Sequence, residues 1–188
     1  MEIEIKLAVP SDELFAELQA AYPAQYVLRM EADYYDTPRR ELRGKKWMLR
    51  RRSENGRGVV TFKTPGKTQF ERGEWELEAE DAAAVIPTLV AMGAPAELLR
   101  LGTVFPSCGS RYVRHAALLT LDGCTAELAL DRGEVFGGTR TAPIRELEIE
   151  LKTGDPAAVY ALADELSKRY GLSVEFRSKY ARAAALCD

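Results

Sequence analysis

The chain has 188 residues, of which 46% are hydrophobic and 29% are charged, and this length and composition fit one domain with a buried core. Its 26 Lys and Arg against 29 Asp and Glu give a formal net charge of −3, which argues against a nucleic-acid-binding protein of generally basic character. The single histidine and the three widely spaced cysteines exclude a zinc site with several histidine ligands and argue against a disulfide framework.

Strands dominate the predicted elements, because charged and apolar residues alternate with a period of two. The first strand, residues 2–7, reads Glu-Ile-Glu-Ile-Lys-Leu. Further strands are expected, in chain order, at 26–36, 46–53, 59–63, 74–79, 111–121, 126–131 and 146–152. Helices are expected at 11–21 with Ser11 as the cap, at 82–92, at 157–169 with Gly171 as the stop, and at 178–186. Glycine and proline predict loops at 54–58, 65–67, 106–109 and 137–143.

The order of these elements predicts an α+β fold, since helices are inserted between strands without regular βαβ alternation. Eight strands favour closure, which removes exposed sheet edges. We therefore expect a closed eight-stranded antiparallel β-barrel with helices packed outside, built by residues 1–188 as a single domain. The charged strand faces would then line a tunnel. The pattern alone leaves a second possibility open, in which these faces simply contact solvent.

The charges are segregated along the chain. Basic residues fill the segment 39–52, acidic residues fill 74–81, and acids alternate along 146–150. Clustered carboxylates are typical ligands of a hard divalent cation such as Mg²⁺ or Mn²⁺, whereas clustered arginine and lysine bind phosphate oxygens. The two clusters together predict a site for a metal ion and a polyphosphate.

Ordered motifs along nearly the whole chain resemble one known family. They are Glu2-Ile3-Glu4-Ile5-Lys6, Tyr34-Tyr35-Asp36-Thr37-Pro38, Leu49-Arg50-Arg51-Arg52, Thr61-Phe62-Lys63, Arg72-Gly73-Glu74-Trp75-Glu76, Arg114, Glu127-Leu128-Ala129-Leu130-Asp131-Arg132-Gly133-Glu134, Glu146-Leu147-Glu148-Ile149-Glu150 and Ser178-Lys179-Tyr180. This set resembles the CYTH superfamily, the triphosphate tunnel metalloenzymes, and most closely its bacterial inorganic triphosphatase branch. The helical CHAD domain that often follows in that branch has no counterpart in this sequence.

The three separated cysteines, interpreted as reduced thiols, and an N-terminal sequence without a basic and an apolar signal region predict a cytoplasmic protein. The resemblance implies a metal-dependent hydrolase acting on the terminal phosphoryl group of a triphosphate, most simply inorganic tripolyphosphate. The metal ligands that it implies are Glu2, Glu4, Glu148 and Glu150, with Glu76 and Asp131 as further candidates. Asp131 has a second possible role, the positioning of a basic ligand or of a metal-bound water. The triphosphate ligands that it implies are Lys6, Arg50, Arg52, Lys63, Arg72, Arg114 and Lys179.

Several alternatives stay open at this point. Glu4, Lys6, Lys63 and a metal-bound hydroxide are all candidates for the group that takes the proton, because no histidine is suitably placed. Hydrolysis of thiamine triphosphate or of a nucleoside triphosphate, and cyclisation of ATP as in class IV adenylyl cyclases, would use the same site. A non-catalytic module for polyphosphate or nucleotides is a further hypothesis. The expected partner is a small triphosphate, without nucleic acid or membrane, and the oligomeric state is not predicted.

Overall fold

The computed structural model describes residues 3–65 and 72–188. Its strands are β1 (Glu4–Ala8), β2 (Tyr26–Asp36), β3 (Met48–Glu54), β4 (Arg57–Pro65), β5 (Arg72–Glu78), β6 (Phe105–Leu121), β7 (Cys124–Gly137), β8 (Arg140–Gly154) and β9 (Ser173–Val174). Its helices are α1 (Asp12–Ala21), α2 (Glu41–Gly44), α3 (Ile86–Ala91), α4 (Ala157–Tyr170) and α5 (Lys179–Ala185), with a 3₁₀ helix at Ala96–Arg100. Within the described ranges, none of these helices combines the length and the apolar character that crossing a bilayer requires.

The strands form one nine-stranded sheet in the order β5-β4-β3-β2-β6-β7-β8-β1-β9. The end strands β5 and β9 each have a single neighbour, and no pairing joins them within residues 3–65 and 72–188. The expected closed eight-stranded antiparallel β-barrel with helices packed outside is therefore wrong. The physical reason lies in β9, because Val174 pairs with Leu7 of β1 and occupies the edge through which closure would have to occur.

The chain is divided into two compact units. The first comprises Met1–Leu28, Tyr112–Glu134 and Pro143–Ser178, and the second comprises Arg29–Arg111, Val135–Ala142 and Lys179–Asp188. Each unit has its own buried apolar cluster.

The core of the first unit lies between the apolar faces of β1, β7 and β8 and the helices α1 and α4. Leu7, Leu128 and Leu147 from the strands are almost fully buried, together with Phe15 of α1 and Leu166 of α4. Each such side chain contributes about 1.5–3 kcal/mol through burial. Because successive side chains of a strand point to opposite faces, this packing leaves the charged residues of the same strands on the other face.

The helices of this first unit begin and end where the sequence predicts. Ser11 accepts a hydrogen bond from the backbone N–H of Leu14 at 3.2 Å, which satisfies one of the unpaired donors at the start of α1. Gly171 ends α4 with a φ of 66°, a left-handed conformation that glycine adopts without steric cost. Both capping predictions are thus confirmed.

The core of the second unit is built by β3 and β4 together with α3 and the 3₁₀ helix. Leu49, Val60 and Phe62 are completely buried, and they pack in one cluster with Leu89 of α3 and Leu98 of the 3₁₀ helix. The strand residues of this cluster are again one alternating set, so the opposite faces of β3 and β4 present Arg50 and other polar residues.

Candidate functional site

Three buried carboxylates meet on the charged face of the first unit. They belong to Asp131 on β7 and to Glu146 and Glu148 on β8, and their nearest oxygens all lie within 4.8 Å of one another. Asp131 is 0% exposed, Glu146 1% and Glu148 6%. Three like charges at this distance repel each other strongly in a low-dielectric environment, so the arrangement requires positive charge close by.

Arg114 of β6 supplies part of that charge. Its Nε donates to Asp131 Oδ1 at 2.8 Å and its Nη2 to Asp131 Oδ2 at 2.8 Å, which is the bidentate geometry of a strong arginine–carboxylate pair. Nη2 also donates to Glu148, and Nη1 lies 3.8 Å from Glu127. Burial acts to lower the pKa of the Arg114 guanidinium, but the hydrogen bond and charge of Asp131, joined by the charge of Glu148, raise the pKa overall. Arg114 is therefore a fixed cation.

Lys6 of β1 supplies a second cation at the edge of this group. Its ammonium lies 3.2 Å from a Glu4 carboxylate oxygen and 3.7 Å from Glu148. The antiparallel register explains this placement, because Lys6 is paired with Glu148 across β1 and β8, and Glu4 is paired with Glu150. The side chain of Glu4 is 31% exposed and that of Glu148 only 7%, so the group opens to solvent at Glu4.

Lys152 of β8 is the third cation of the group. Its ammonium lies 2.8 Å from Glu150 and 3.6 Å from Glu127. Burial acts to lower the pKa of Lys152, whereas the hydrogen bond to Glu150 and the charges of Glu127 and Glu150 raise it overall. Tyr26 donates its hydroxyl proton to Glu127. Burial, the hydrogen bond to Glu127 and the charge of that carboxylate raise the pKa of Tyr26 to about 12, so the phenol remains a donor at neutral pH.

These side chains form one continuous assembly, here named the charged cluster. Its members are Glu4, Lys6, Arg114, Glu127, Asp131, Glu146, Glu148, Glu150 and Lys152. Six carboxylates face three cationic side chains, which leaves a formal excess of three negative charges among these described residues. Hard carboxylate oxygens with an excess of negative charge are the donor set that Mg²⁺ and Mn²⁺ prefer. The residues therefore fit a divalent cation.

A second polar group lies on β3, β4 and β5 of the second unit. Arg50 Nη2 donates to the Thr61 hydroxyl at 3.2 Å, and that hydroxyl donates to Glu76 at 2.9 Å. The three residues are directly paired across the strands. The hydroxyl of Thr61 thus links the guanidinium to the carboxylate and orients both.

Other predicted ligands of the second unit have acidic or aromatic neighbours. Arg52 pairs with Glu54 at 3.0 Å, and Lys63 pairs with Glu74 at 2.9 Å. Lys179, at the start of α5, is buried. Burial raises the pKa of Tyr34, while the nearby charges of Arg50 and Lys179 act to lower it. The charges of Arg50 and Lys179 therefore both act on the Tyr34 hydroxyl group.

The predicted site residues belong to both units of the chain. Those of the first unit that the structure describes are all members of the charged cluster, namely Glu4, Lys6, Arg114, Asp131, Glu148 and Glu150. The predicted residues of the second unit are Arg50, Arg52, Lys63, Glu76 and Lys179. Glu2 and the side chain of Arg72 lie outside the described residues.

Sequence reasoning did not single out four residues of this region as site residues. Glu127, Glu146 and Lys152 share strand parity with predicted ligands on β7 and β8, so the alternation could have found them. Tyr26 carried no such signal, because a tyrosine at the start of a strand is far more often a packing residue.

Comparison with known proteins matches nearly the whole of this chain to one family. The family model described as "CYTH domain" matches residues 1–184. The inorganic triphosphatase of Haemophilus influenzae is 29% identical over 174 residues, which cover 88% of this chain and 49% of that protein. The chain thus spans about half the length of this curated relative.

Solved structures share the fold at lower sequence identity. A Hippeastrum adenylyl cyclase candidate with a dominant triphosphatase activity has a TM-score of 0.64 and 22% identity, and the match covers 100% of this chain and 97% of that one. An adenylate cyclase candidate from Bacillus halodurans has a TM-score of 0.60 at 16% identity, covering 95% and 94% of the two chains. A Pyrococcus horikoshii protein has a TM-score of 0.58 at 23% identity, covering 97% of each chain.

Proposed function

We propose, from the premise that the chain belongs to the CYTH domain family, that it is a divalent-metal-dependent hydrolase of the terminal phosphoryl group of a triphosphate. Inorganic tripolyphosphate is the proposed substrate, and the similarity to the Haemophilus influenzae inorganic triphosphatase supports this choice. The observation that carries the proposal is the charged cluster, in which Lys6 and Arg114 are interleaved with buried carboxylates. The family match over residues 1–184 supports the further proposal that the chain is one domain.

Glu4, Glu148 and Glu150 are the proposed ligands of a Mg²⁺ or Mn²⁺ ion. Glu4 of β1 is paired with Glu150 of β8, and Glu148 lies two residues before Glu150 on the same strand. Glu4 and Glu150 are partly exposed, at 31% and 28% of their side chains. Such an ion, when bound, polarises phosphate oxygens and acidifies a water molecule. Glu2 and Glu76 stay predictions from the family resemblance.

Asp131 is proposed as a positioning residue instead of a metal ligand. Both of its oxygens accept hydrogen bonds from Arg114 at 2.8 Å, and its side chain is completely buried. A carboxylate with both oxygens committed to one guanidinium fixes the direction of that guanidinium. Asp131 therefore orients Arg114, which is in turn a proposed phosphate ligand.

Lys6 and Arg114 are the proposed triphosphate ligands of the first unit. Phosphoryl transfer depends mainly on positioning and on the neutralisation of charge on the phosphate oxygens. Both cations are held in place by carboxylates, so they are already oriented before an anion binds. Arg50, Arg52, Lys63, Arg72 and Lys179 are proposed as further ligands on the strength of the family resemblance.

Glu4 is the proposed acceptor of the proton from the attacking water. Glu4 is the more solvent-accessible of the two glutamates that form ion pairs with Lys6, and its carboxylate oxygen lies 3.2 Å from the Lys6 ammonium. Lys6 and Lys63 are the competing candidates. Substitution of each residue separately, followed by the pH profile of kcat, distinguishes the acceptor from a residue that only binds phosphate.

Release of orthophosphate from tripolyphosphate tests this proposal directly. We expect turnover with Mg²⁺ or Mn²⁺ and none in EDTA. Glu4→Gln should lower kcat at least about 100-fold, with an unchanged unfolding transition. Glu17→Gln is the matched control, because Glu17 is an exposed carboxylate on α1 of the same unit, and it should leave kcat unchanged.

Two other outcomes would favour the competing hypotheses. Formation of cyclic AMP from ATP without free phosphate would replace hydrolysis by cyclisation. Binding of tripolyphosphate that persists unchanged in EDTA, with no turnover under any divalent metal, would make the protein a binding module. Thiamine triphosphate and nucleoside triphosphates belong in the same assay, since a higher kcat/KM for either would displace tripolyphosphate as the substrate.

A further inference from the structure

Three arginines of the second unit converge on Asp188. Arg43 donates to Asp188 Oδ1 at 2.9 Å and to Oδ2 at 2.7 Å, and Arg40 donates to Oδ1 at 2.6 Å. Arg140 donates to the backbone oxygen of the same residue, and Arg40 donates to the backbone oxygen of Cys187 at 2.8 Å. We name this group, Arg40, Arg43 and Arg140, the arginine cradle. None of its members belongs to the charged cluster or to the predicted substrate ligands.

The cradle borders a cavity. The cavity measures about 240 Å³, and Arg40 and Arg43 line it together with Phe105, Ser107 and Tyr180. Space for additional atoms therefore lies beside the side chains that hold the Asp188 carboxylate. Thr37, Ser107 and Tyr180 add hydroxyl groups to the cavity wall, and Asp36 adds a carboxylate.

The charge in the cradle is not balanced by its present occupant. Arg40 and Arg43 contact the side-chain carboxylate of Asp188, and Arg140 contacts its backbone oxygen. Asp36 adds a second carboxylate side chain at the cavity wall, so three guanidinium groups against two carboxylate side chains leave one formal positive charge. Arg40 also has a φ of 56°, a left-handed conformation that residues other than glycine rarely adopt. Backbone strain of this kind persists where the surrounding structure enforces it, and such residues cluster at ligand-binding positions.

We propose that the arginine cradle is a second anion site, which takes a phosphate group in the place now held by the Asp188 carboxylate. The planar fork of arginine matches the oxygens of a carboxylate and of a phosphate equally well. A phosphate dianion carries more charge and one more acceptor oxygen than a carboxylate, so it balances three guanidinium groups better. Asp188 then acts as an internal competitor, and the anion binds by displacing it.

Calorimetric titration with phosphate anions tests this site without any reference to catalysis. The titrations are run in EDTA, with orthophosphate and with tripolyphosphate as separate probes. Asp188→Asn keeps the shape of the side chain and removes its charge, so we expect it to raise the affinity for at least one probe about tenfold or more. A larger gain in affinity for orthophosphate identifies the ligand as a free phosphate ion, and a larger gain for tripolyphosphate identifies it as the end of a phosphate chain.

Variants of the cradle decide whether the gain arises there. Adding Arg140→Ala or Arg43→Ala to Asp188→Asn should abolish the gain. Arg57→Ala is the matched control, because Arg57 is an arginine of the same unit that is 77% exposed, and it should leave the gain intact. Thermal unfolding checks that each variant folds. In nuclear magnetic resonance spectra, the Nε–H signals of Arg43 and Arg140 should shift on addition of the bound probe.

Two results would overturn the proposal. One is an Asp188→Asn variant that binds neither probe more tightly than the wild type, which would leave the cradle a structural clamp for the segment after α5. The other is a gain that survives both Arg140→Ala and Arg43→Ala, which would place the anion elsewhere. Neither result affects the proposed hydrolysis, since the cradle shares no residue with it.

Discussion

Removing the carboxylate charge of Asp131 is the sharpest test of how the charged cluster is built. Arg114 donates two hydrogen bonds of 2.8 Å to a side chain that is fully buried. In Asp131→Asn, one oxygen remains an acceptor, but the new amide N–H₂ faces a guanidinium that has only donors. Breaking a buried ion pair costs about 3–5 kcal/mol. Because Glu148 still contacts Arg114, we expect the lower end of this range, about 3 kcal/mol.

Urea denaturation in EDTA measures this effect. The midpoint should fall while the slope against urea concentration stays unchanged, which marks a loss of stability in the native state. The double variant Asp131→Asn with Arg114→Met should be more stable than the sum of the two single losses predicts, because the two residues contact each other directly and the energy of that contact is lost only once. Asp164→Asn is the control. Its ion pair with Lys168 is exposed, and the loss should stay within about 0.5 kcal/mol.

A loss below about 1 kcal/mol for Asp131→Asn would refute this reasoning. It would mean that the Arg114 guanidinium is satisfied without Asp131, either by Glu148 and Glu127 or by water. The proposed positioning role would then fail as well. If the stability losses of Asp131→Asn and Arg114→Met simply added in the double variant, the same conclusion would follow, since residues that do not interact show additive effects.

Three further predictions concern single residues. Arg52→Ala should raise the KM for tripolyphosphate about tenfold with little change in kcat, and a fall in kcat alone would contradict a binding role. Tyr26→Phe should lower the free energy of unfolding by about 1 kcal/mol below pH 10 through loss of the hydrogen bond to Glu127. Since the folded-state pKa of Tyr26 is raised to about 12, its contribution disappears as the pH rises from 10 to 12, so the stability curves of Tyr26→Phe and wild type should converge there. Gly154→Ala should destabilise by about 2 kcal/mol or more, measured by urea denaturation, because Gly154 has a φ of 97° and a Cβ would lie 2.2 Å from a backbone carbonyl oxygen.

The period-two alternation predicted the individual strands well. All eight predicted strands correspond to β1–β8, and the four predicted helices correspond to α1, α3, α4 and α5. The strand β9, with two residues, and α2, with four, are too short to show a period. The helix predicted from residue 82 begins only at Ile86. The Asp81 carboxylate accepts hydrogen bonds from Ala83 and Ala84, as a helix cap does, but the residues up to Val85 form a turn before the helix begins.

The predicted loop 106–109 lies wholly within a strand, and most of the predicted loop 137–143 belongs to the ends of β7 and β8. Residues 66 and 67 of the predicted loop 65–67 lie outside the described residues. Residues 106–109 lie inside β6, although Pro106 and Gly109 are typical of turns. A Cβ at Gly109 would lie 2.5 Å from the carbonyl oxygen of Ala32 on β2. Glycine is therefore required here for the close approach of two strands. A single sequence does not distinguish this requirement from a turn.

The alternation could predict which side chains share a strand face, but not which strands are neighbours. Lys6 and Glu148 were both predicted as site residues, and their pairing follows from the register of β1 and β8. The bidentate contact between Arg114 and Asp131 depends on the sheet order, which alternation does not contain. The incorrect prediction of closure has the same origin, because β9 pairs with β1 and no periodic signal marks β9.

The basic segment 39–52 shows why linear charge is a poor guide to local charge. Its arginines have partners in different places, namely Arg43 with Asp188, Arg50 with Thr61, Arg51 with Glu80 and Arg52 with Glu54. Arg50 and Arg51 are adjacent in the chain, yet alternation on β3 sends them to opposite faces. These four arginines, which lie close together in the sequence, are thus divided between the arginine cradle and the two faces of β3. The electrostatic potential at a side chain depends mainly on charges that lie within a Debye length and on the same face of the sheet. Such charges belong to residues at alternate positions of one strand or at paired positions of neighbouring strands.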